Sequence, residues 1–445
     1  MIVGSASPEE LLRQLIQATH HRDRWHERVI TCGSRPLDAL VDHAVRTVPF
    51  YQRWASANGL TNPTFRRLPI VAKPEMRKDP DAFRSAAFNR LELHWETTSG
   101  TTGVPLKVCF DPAGRYYDIY EIYLKIRSFM PQFANSLRGA DNLVVIVNDN
   151  ITREPLSAIH PELVSGAMHL LILGRSDAED EELVQQLRKS HIPLLSGPPR
   201  ALSRLRDLDS KVGGEANPIR PHAILSTGDN LYGGVRRRLE AWFLCSVHNG
   251  YASQEAGLLG VECGSQTGIH VICDGAVVEI LTEDGKLRRE GSGEMVITNL
   301  TNWAMPFIRY STGDNITLVN QTCVCGQSGL MITELAGRDS VHFVFANDRF
   351  NPSLLNPVFE SLPVEQFQVI QELDGSLYVR VVISEGVLDP RRIEQAVREG
   401  IEREIGKVKI RIEHVLQIGR TGEKFQSFVR KAASQTEVGT EPISL

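Results

Sequence analysis

The 445-residue sequence contains no apolar run approaching the roughly 20 residues needed to span a bilayer. Its first ten residues lack a basic segment followed by an apolar one, so the expectation is a cytoplasmic protein without a membrane partner. Positive charge is not in excess. With 49 Lys and Arg against 54 Asp and Glu, the net charge is -5, which excludes a dominant nucleic-acid or membrane-surface role unless a basic patch is concentrated locally. Cysteine is scarce and odd in number, seven in all, which excludes a secreted disulfide framework and makes metal binding the better use of the later ones. There is no Gly-x-Ser-x-Gly elbow to support a hydrolase and no Gly-Lys-Ser/Thr ending of a Walker A loop. Long repeats are lacking too; the pentapeptide Ser-Thr-Gly-Asp-Asn at 226–230 and 311–315 is explained by turn chemistry.

What is present suits an enzyme of two or three domains acting on a small molecule. At 42% hydrophobic, the chain can bury a sizeable core and is too long for one ordinary domain. Residues 8–60 carry helical apolar spacing, with Leu11, Leu12, Leu15 and Ile16 on one face and Leu37, Leu40, Val41, Ala44 and Val45 on another, which reads as a helical cap over 1–90. Over 91–260, strand-like runs at 143–147, 170–173 and 192–195 alternate with amphipathic stretches at 178–189 and 233–243, the pattern of an α/β domain whose ligands sit where strands end in loops. Short runs broken by Gly, Asn and Asp over 261–337 read as a compact β-rich subdomain. From 338 to 445 the pattern is a small α+β unit: strand 341–345, helix 353–361, strands 366–373 and 376–383, helix 389–404 and strand 408–416. The basic run Arg236-Arg237-Arg238 and the pair His20-His21 read as solvated.

The most informative segment is Thr97-Thr98-Ser99-Gly100-Thr101-Thr102-Gly103-Val104-Pro105, hydroxyls and glycines with no large side chain. Such a loop lets backbone N–H groups approach a polyphosphate and adds hydroxyl donors; composition alone leaves a bland polar turn open beside that reading. The segment resembles the phosphate loop of adenylate-forming enzymes, and further matches follow in the same order. Asn249-Gly250-Tyr251-Ala252-Ser253-Gln254-Glu255 resembles the Tyr-Gly-x-Thr-Glu signature, in which the aromatic lies against adenine or substrate and the glutamate helps hold Mg²⁺. Ala252 and Gln254 depart from it. Ser226-Thr227-Gly228-Asp229 is placed like the family's adenine-receiving turn, with aspartate for glutamate. Arg309 to Asp314 resembles the element whose aspartate takes both ribose hydroxyls, a task suited to the two oxygens of a carboxylate.

Gly337-Arg338-Asp339 is similar to the family hinge, with Arg338 as a contact for ribose or phosphate, and Gly419 to Lys424 is similar to the segment bearing the lysine of the first half-reaction. Read alone, Asp314 is a turn residue and Lys424 a surface lysine; their order relative to the hinge gives them roles. The short chain and small C-terminal unit favour the phenylacetate-CoA ligase branch. The resemblance implies an α/β adenylate-forming fold with a mobile C-terminal lid. It also implies ATP activation of an aryl or arylacetic acid to an acyl-adenylate (acyl-AMP), then transfer to coenzyme A. The acid pocket is expected to draw on Tyr120, Ser226, Asn249, Tyr251 and Ala252. Asn347 stands where CoA ligases of the family keep a glycine, so an amine or carrier protein stays open as acceptor, and a catalytically retired nucleotide-binding scaffold is the reading from a different class. Relatives are often dimers, and a homodimer is the corresponding expectation.

Cys263, His270, Cys323 and Cys325 form a Cys-x6-His pair and a Cys-x-Cys knuckle, a complete tetrahedral donor set for structural zinc, with Cys273 as an alternative ligand. Some relatives in the branch carry such a site. The alternative is packed residues and an ordinary turn.

Overall fold

The computed structural model describes residues 36–97, 106–110, 144–148, 168–174, 176–213, 216–255, 257–271, 275–338, most of 343–418, and 427–431. It divides the chain into two compact units, one reaching Gly337 and one beginning at Arg338.

The first unit is built on one large sheet. Its strands in chain order are β1 (Val71–Ala72), then, after a separate hairpin of β2 (His94–Thr97) and β3 (Lys107–Phe110), β4 (Val144–Asn148), β5 (Met168–Ile172), β6 (Leu194–Gly197), β7 (Ile224–Thr227), β8 (Val247–Ser253), β9 (Gly257–Glu262), β10 (Ile269–Val271), β11 (Ala276–Leu281), β12 (Leu287–Arg288), β13 (Gly291–Asn299), β14 (Tyr310–Thr322) and β15 (Ser328–Arg338). Hydrogen-bonded neighbours run β12-β11-β13-β14-β15-β10-β9-β8-β7-β6-β4-β5, with β1 added beside β14.

The strands from β4 to β8 pair in parallel, and their apolar character fits that geometry. All four residues of β6 are buried, as expected of a strand covered on both faces. β11 instead alternates buried and half-buried residues, the signature of an antiparallel strand with one face on the core. The 261–337 region is therefore not a sheet of its own: its strands continue the ladder of the parallel ones through β8–β9 and β9–β10.

Helices follow the amphipathic stretches. Asp177–Lys189 opens with Ser176, whose Oγ accepts from the N–H of Glu179 while donating to its carboxylate, and it carries acids in its first turn and bases in its last. Gly233–Phe243 packs Val235, Leu239 and Phe243 inward. Near the start, Pro36–Thr47 and Pro49–Ala57 bury Leu40, Val41, Ala44 and Tyr51 in the same core that holds Phe110, Ile297, Phe307 and Tyr310. No helix among the described residues is long and apolar enough to cross a membrane.

The second unit carries a hairpin of β16 (Phe343–Phe345) and β17 (Asp348–Phe350), and a four-stranded sheet in the order β20-β19-β18-β21. In that sheet β18 (Val364–Gln371) and β19 (Leu377–Ile383) are antiparallel, while β20 (Ile410–His414) and β21 (Phe428–Arg430) join in parallel. The helix Pro390–Ile405, capped by Asp389, buries Ile393, Val397 and Ile401. Phe359 stacks on Phe367 at 3.7 Å between ring centroids, fixing the short helix Asn356–Glu360 to β18.

Candidate functional site

In an open α/β sheet, ligands bind beyond the carboxyl ends of parallel strands. At that edge the β7–β8 register puts Ser226 beside Asn249 and Thr227 beside Gly250, so two of the sequence motifs become neighbours. Gly228 turns the chain out of β7 at φ +91°, a conformation that costs glycine nothing. A side chain at Gly250 would bring its Cβ within 2.9 Å of Leu225 Cδ1 and 3.0 Å of Thr227 Cγ2, so any larger residue would have to displace those two side-chain ends.

The same edge is braced from behind. The N–H of Asn249 donates to Glu262 Oε2 at 2.7 Å, and Arg236 donates to both oxygens of that carboxylate at 3.0 and 2.8 Å and to the Val247 carbonyl at 2.7 Å. Arg236 is thus not a solvated arginine: it is the half-buried clamp of β8, and of its run only Arg237 is exposed.

Beyond the end of β8 the chain reaches Glu255, which is buried. Its Oε1 accepts from the Tyr310 hydroxyl at 3.0 Å and lies 3.5 Å from the ammonium of Lys73, while its carbonyl accepts from Asn299 Nδ2 at 3.0 Å. Tyr251 donates to Asp314 Oδ2 at 2.5 Å. Two segments about sixty residues apart are therefore stitched at two points, Tyr251 to Asp314 and Glu255 to Tyr310. β14, which carries both Tyr310 and Asp314, is one strand of 13 residues where the pentapeptide at 311–315 had read as turn chemistry.

Lys73 was invisible to the motif reading. β1 runs parallel to β14, pairing Val71 with Tyr310 and Ala72 with Ser311, and so delivers the next residue, Lys73, to Glu255. Arg309 fastens this attachment. It holds a left-handed backbone at φ +50°, uncommon for a residue with a Cβ. Its guanidinium pairs with Glu279 at 3.0 and 3.2 Å, donates to the Arg66 carbonyl at 2.9 Å and lies over the Phe65 ring at 4.6 Å. The contacts that over-determine such a conformation are those that pin 65–72 to β14.

Cys263, His270, Cys323 and Cys325 come together with their ligand atoms within 4.8 Å of one another. The Cys263 and Cys323 sulfurs are 3.8 Å apart, and Cys325 Sγ is 3.6 Å from His270 Nε2. A tetrahedral zinc with Zn–S of about 2.3 Å and Zn–N of about 2.0–2.1 Å sets sulfurs about 3.8 Å apart and a sulfur–nitrogen pair about 3.6 Å apart. The backbone N–H of Cys325 and the hydroxyls of Ser265 and Thr267 pull the Cys323 thiol down to about 5, favouring the thiolate that a metal needs.

Of the other assigned residues, Asp229 and Ala252 are half-buried beside the β7–β8 edge, and Arg338 ends β15. Thr98, Ser99, Gly100, Thr101, Thr102, Gly103, Tyr120, Cys273, Asn347 and Lys424 lie outside the described residues, as do Leu11, Leu12, Leu15, Ile16, His20, His21 and the side chain of Arg338.

No family model matches the chain. It is 25% identical over 397 residues to the phenylacetate-coenzyme A ligase of Thermus thermophilus, covering 86% of this chain and 84% of that one. To the phenylacetate-coenzyme A ligase of Escherichia coli K12 it is 25% identical over 376 residues, covering 79% and 82%. Among solved structures, 2-hydroxyisobutyryl-CoA ligase in complex with 2-HIB-AMP matches with a TM-score of 0.71 at 18% identity over 89% of this chain and 88% of that one. The chain resembles the phenylacetate-CoA ligases over most of its length and shares the fold of the adenylate-forming ligases. The anthranilate CoA ligase AuaEII in complex with anthranoyl-AMP shares the fold at a TM-score of 0.54 and 14% identity, over 77% of this chain and 66% of that one. The expected α/β adenylate-forming fold is thereby borne out.

Proposed function

We propose that this chain uses ATP to convert an aryl or arylacetic acid to its acyl-adenylate and then passes the acyl group to coenzyme A. The observation that carries the reading is the convergence of Tyr251, Glu255 and Asp314 at the carboxyl edge of the parallel strands, in the chain order that the superfamily uses. Asp314 takes the ribose hydroxyls, and the backbone turn at Gly228 and Asp229, with Asn249, Gly250, Tyr251 and Ala252, receives adenine and acid. The loop Thr98 to Gly103 supplies donors to the phosphates. Glu255 fits a magnesium ion bound to those phosphates, being a hard oxygen donor buried at the candidate site. Such an ion would neutralise charge on the phosphates during transfer.

Arg338 begins the unit that swings between half-reactions, and Lys424 belongs to the first of them. The three thiols and His270 suit a closed structural zinc site, distinct from the chemistry.

The test is ATP–pyrophosphate exchange over a panel of aryl, arylacetic and short aliphatic acids with Mg²⁺, followed by addition of coenzyme A, an amine or a carrier protein. Exchange confined to one acid class and thioester formation with coenzyme A are expected. Silence across the panel with nucleotide binding intact would leave the scaffold reading standing.

A narrower expectation concerns Tyr251. Tyr251→Phe keeps the ring and removes the hydrogen bond to Asp314; a bond to a charged acceptor contributes about 1.5–3 kcal/mol. The KM for ATP in the exchange assay should rise roughly tenfold with kcat little changed. An unchanged KM would remove Tyr251 from the positioning of Asp314.

A further inference from the structure

Glu255 is a buried carboxylate, and burying such a charge is unfavourable unless it is paired. The cation beside it is Lys73: its Nζ lies 3.5 Å from Oε1, and the two side chains are only 15% and 7% exposed, so little water screens them. The position is built rather than incidental. β1 and β14 hold Lys73 next to Tyr310, which donates to the same oxygen, and the Arg309 contacts lock the segment that leads to β1.

We infer that Lys73 is a positioning residue that serves as counter-ion to Glu255 while the site is empty of metal, holding the carboxylate oriented and opposing a divalent cation until the nucleotide brings one. This rests on the reading of Glu255 as a metal carboxylate. Two like charges cannot share Oε1 without repulsion, so a divalent ion at Glu255 must work against the ammonium. The lysine therefore weakens metal binding to the free carboxylate and makes the site selective for a metal already bridged to phosphate.

The experiment titrates Mn²⁺ into the protein first without nucleotide, where the effect of Lys73 is read, and then with α,β-methylene-ATP, following free Mn²⁺ by EPR, with no turnover involved. Melting of the metal-free protein is recorded in parallel. Lys73→Met should bind Mn²⁺ about tenfold more tightly than wild type and melt several degrees lower without metal, and Lys73→Arg should restore both. Lys73→Gln, which keeps a hydrogen bond to the carboxylate without the charge, should show the tighter metal binding with a smaller loss of stability. Unchanged or weaker Mn²⁺ binding in both neutral variants would overturn the inference. Glu255→Gln separates the two failures: if it leaves Mn²⁺ affinity at the wild-type value, the metal assignment of Glu255 falls. If it weakens binding while Lys73→Met and Lys73→Gln do nothing, only the counter-ion role falls.

Discussion

Cys323→Ser is expected to empty the zinc site and to lower the melting temperature by on the order of 10 °C. The hydroxyl that replaces the sulfur does not ionise near neutral pH, and two thiolates with one imidazole no longer close a tetrahedron. Structural zinc contributes about 10–16 kcal/mol in small peptides that fold only around it. Here the strands bearing the ligands are also held by a long ladder, so only part of that figure falls on stability. Elemental analysis should find about one zinc per wild-type chain and none in the variant, with the chelated wild type melting near the variant. A wild-type protein purified without metal, or a variant melting with the wild type, would overturn the assignment.

The loss should also reach the candidate site around Tyr251 and Glu255. Cys263 directly follows Glu262, the residue that holds the Asn249 N–H, and one rung of the sheet runs from Gly250 through Val261 to His270 of the Cys/His cluster.

Much of this arrangement was legible in the residues, and the parts that were not share a cause. The helix read at 233–243 is Gly233–Phe243, and that at 178–189 is Asp177–Lys189, because local amphipathicity and end signals are properties of the segment itself. The cluster of Cys263, His270, Cys323 and Cys325 was legible because thiol and imidazole spacing restricts their use. β14 read as a turn because Ser311, Thr312, Gly313 and Asp314 are the polar residues it presents at the candidate site. The join between parallel and antiparallel strands could not be read, since hydrophobic pattern reveals that a strand exists and not which partner it takes. Lys73 and Arg236 were missed for the same reason. A lysine at the end of a short apolar run and an arginine in a basic run carry no sign of their partners until Glu255 and Glu262, far along the chain, are brought to them.

Lys424→Ala is expected to lower acyl-adenylate formation by about 10²–10³-fold, the range seen when one preorganised charge-stabilising donor is removed from a transition state. Attack of the acid on the α-phosphate gathers negative charge on the equatorial oxygens and on the departing pyrophosphate, and a lysine bridging carboxylate and phosphate offsets that charge where it develops. The second half-reaction makes a different demand, because a thiol then attacks a carbonyl already activated by its adenylate leaving group. Supplied with preformed acyl-adenylate, the variant should make thioester at a rate near that of wild type and melt at the wild-type temperature. The split between the two rates is the decisive measurement, since a lysine needed for folding or for binding ATP in general would depress both or raise the KM for ATP with kcat preserved. Glu255→Gln offers the contrast: its loss in the first half-reaction should shrink as Mg²⁺ is raised, whereas no metal concentration should rescue Lys424→Ala. Wild-type adenylation by the alanine variant would remove Lys424 from the reaction and leave the assignment of the C-terminal segment without its chemical basis.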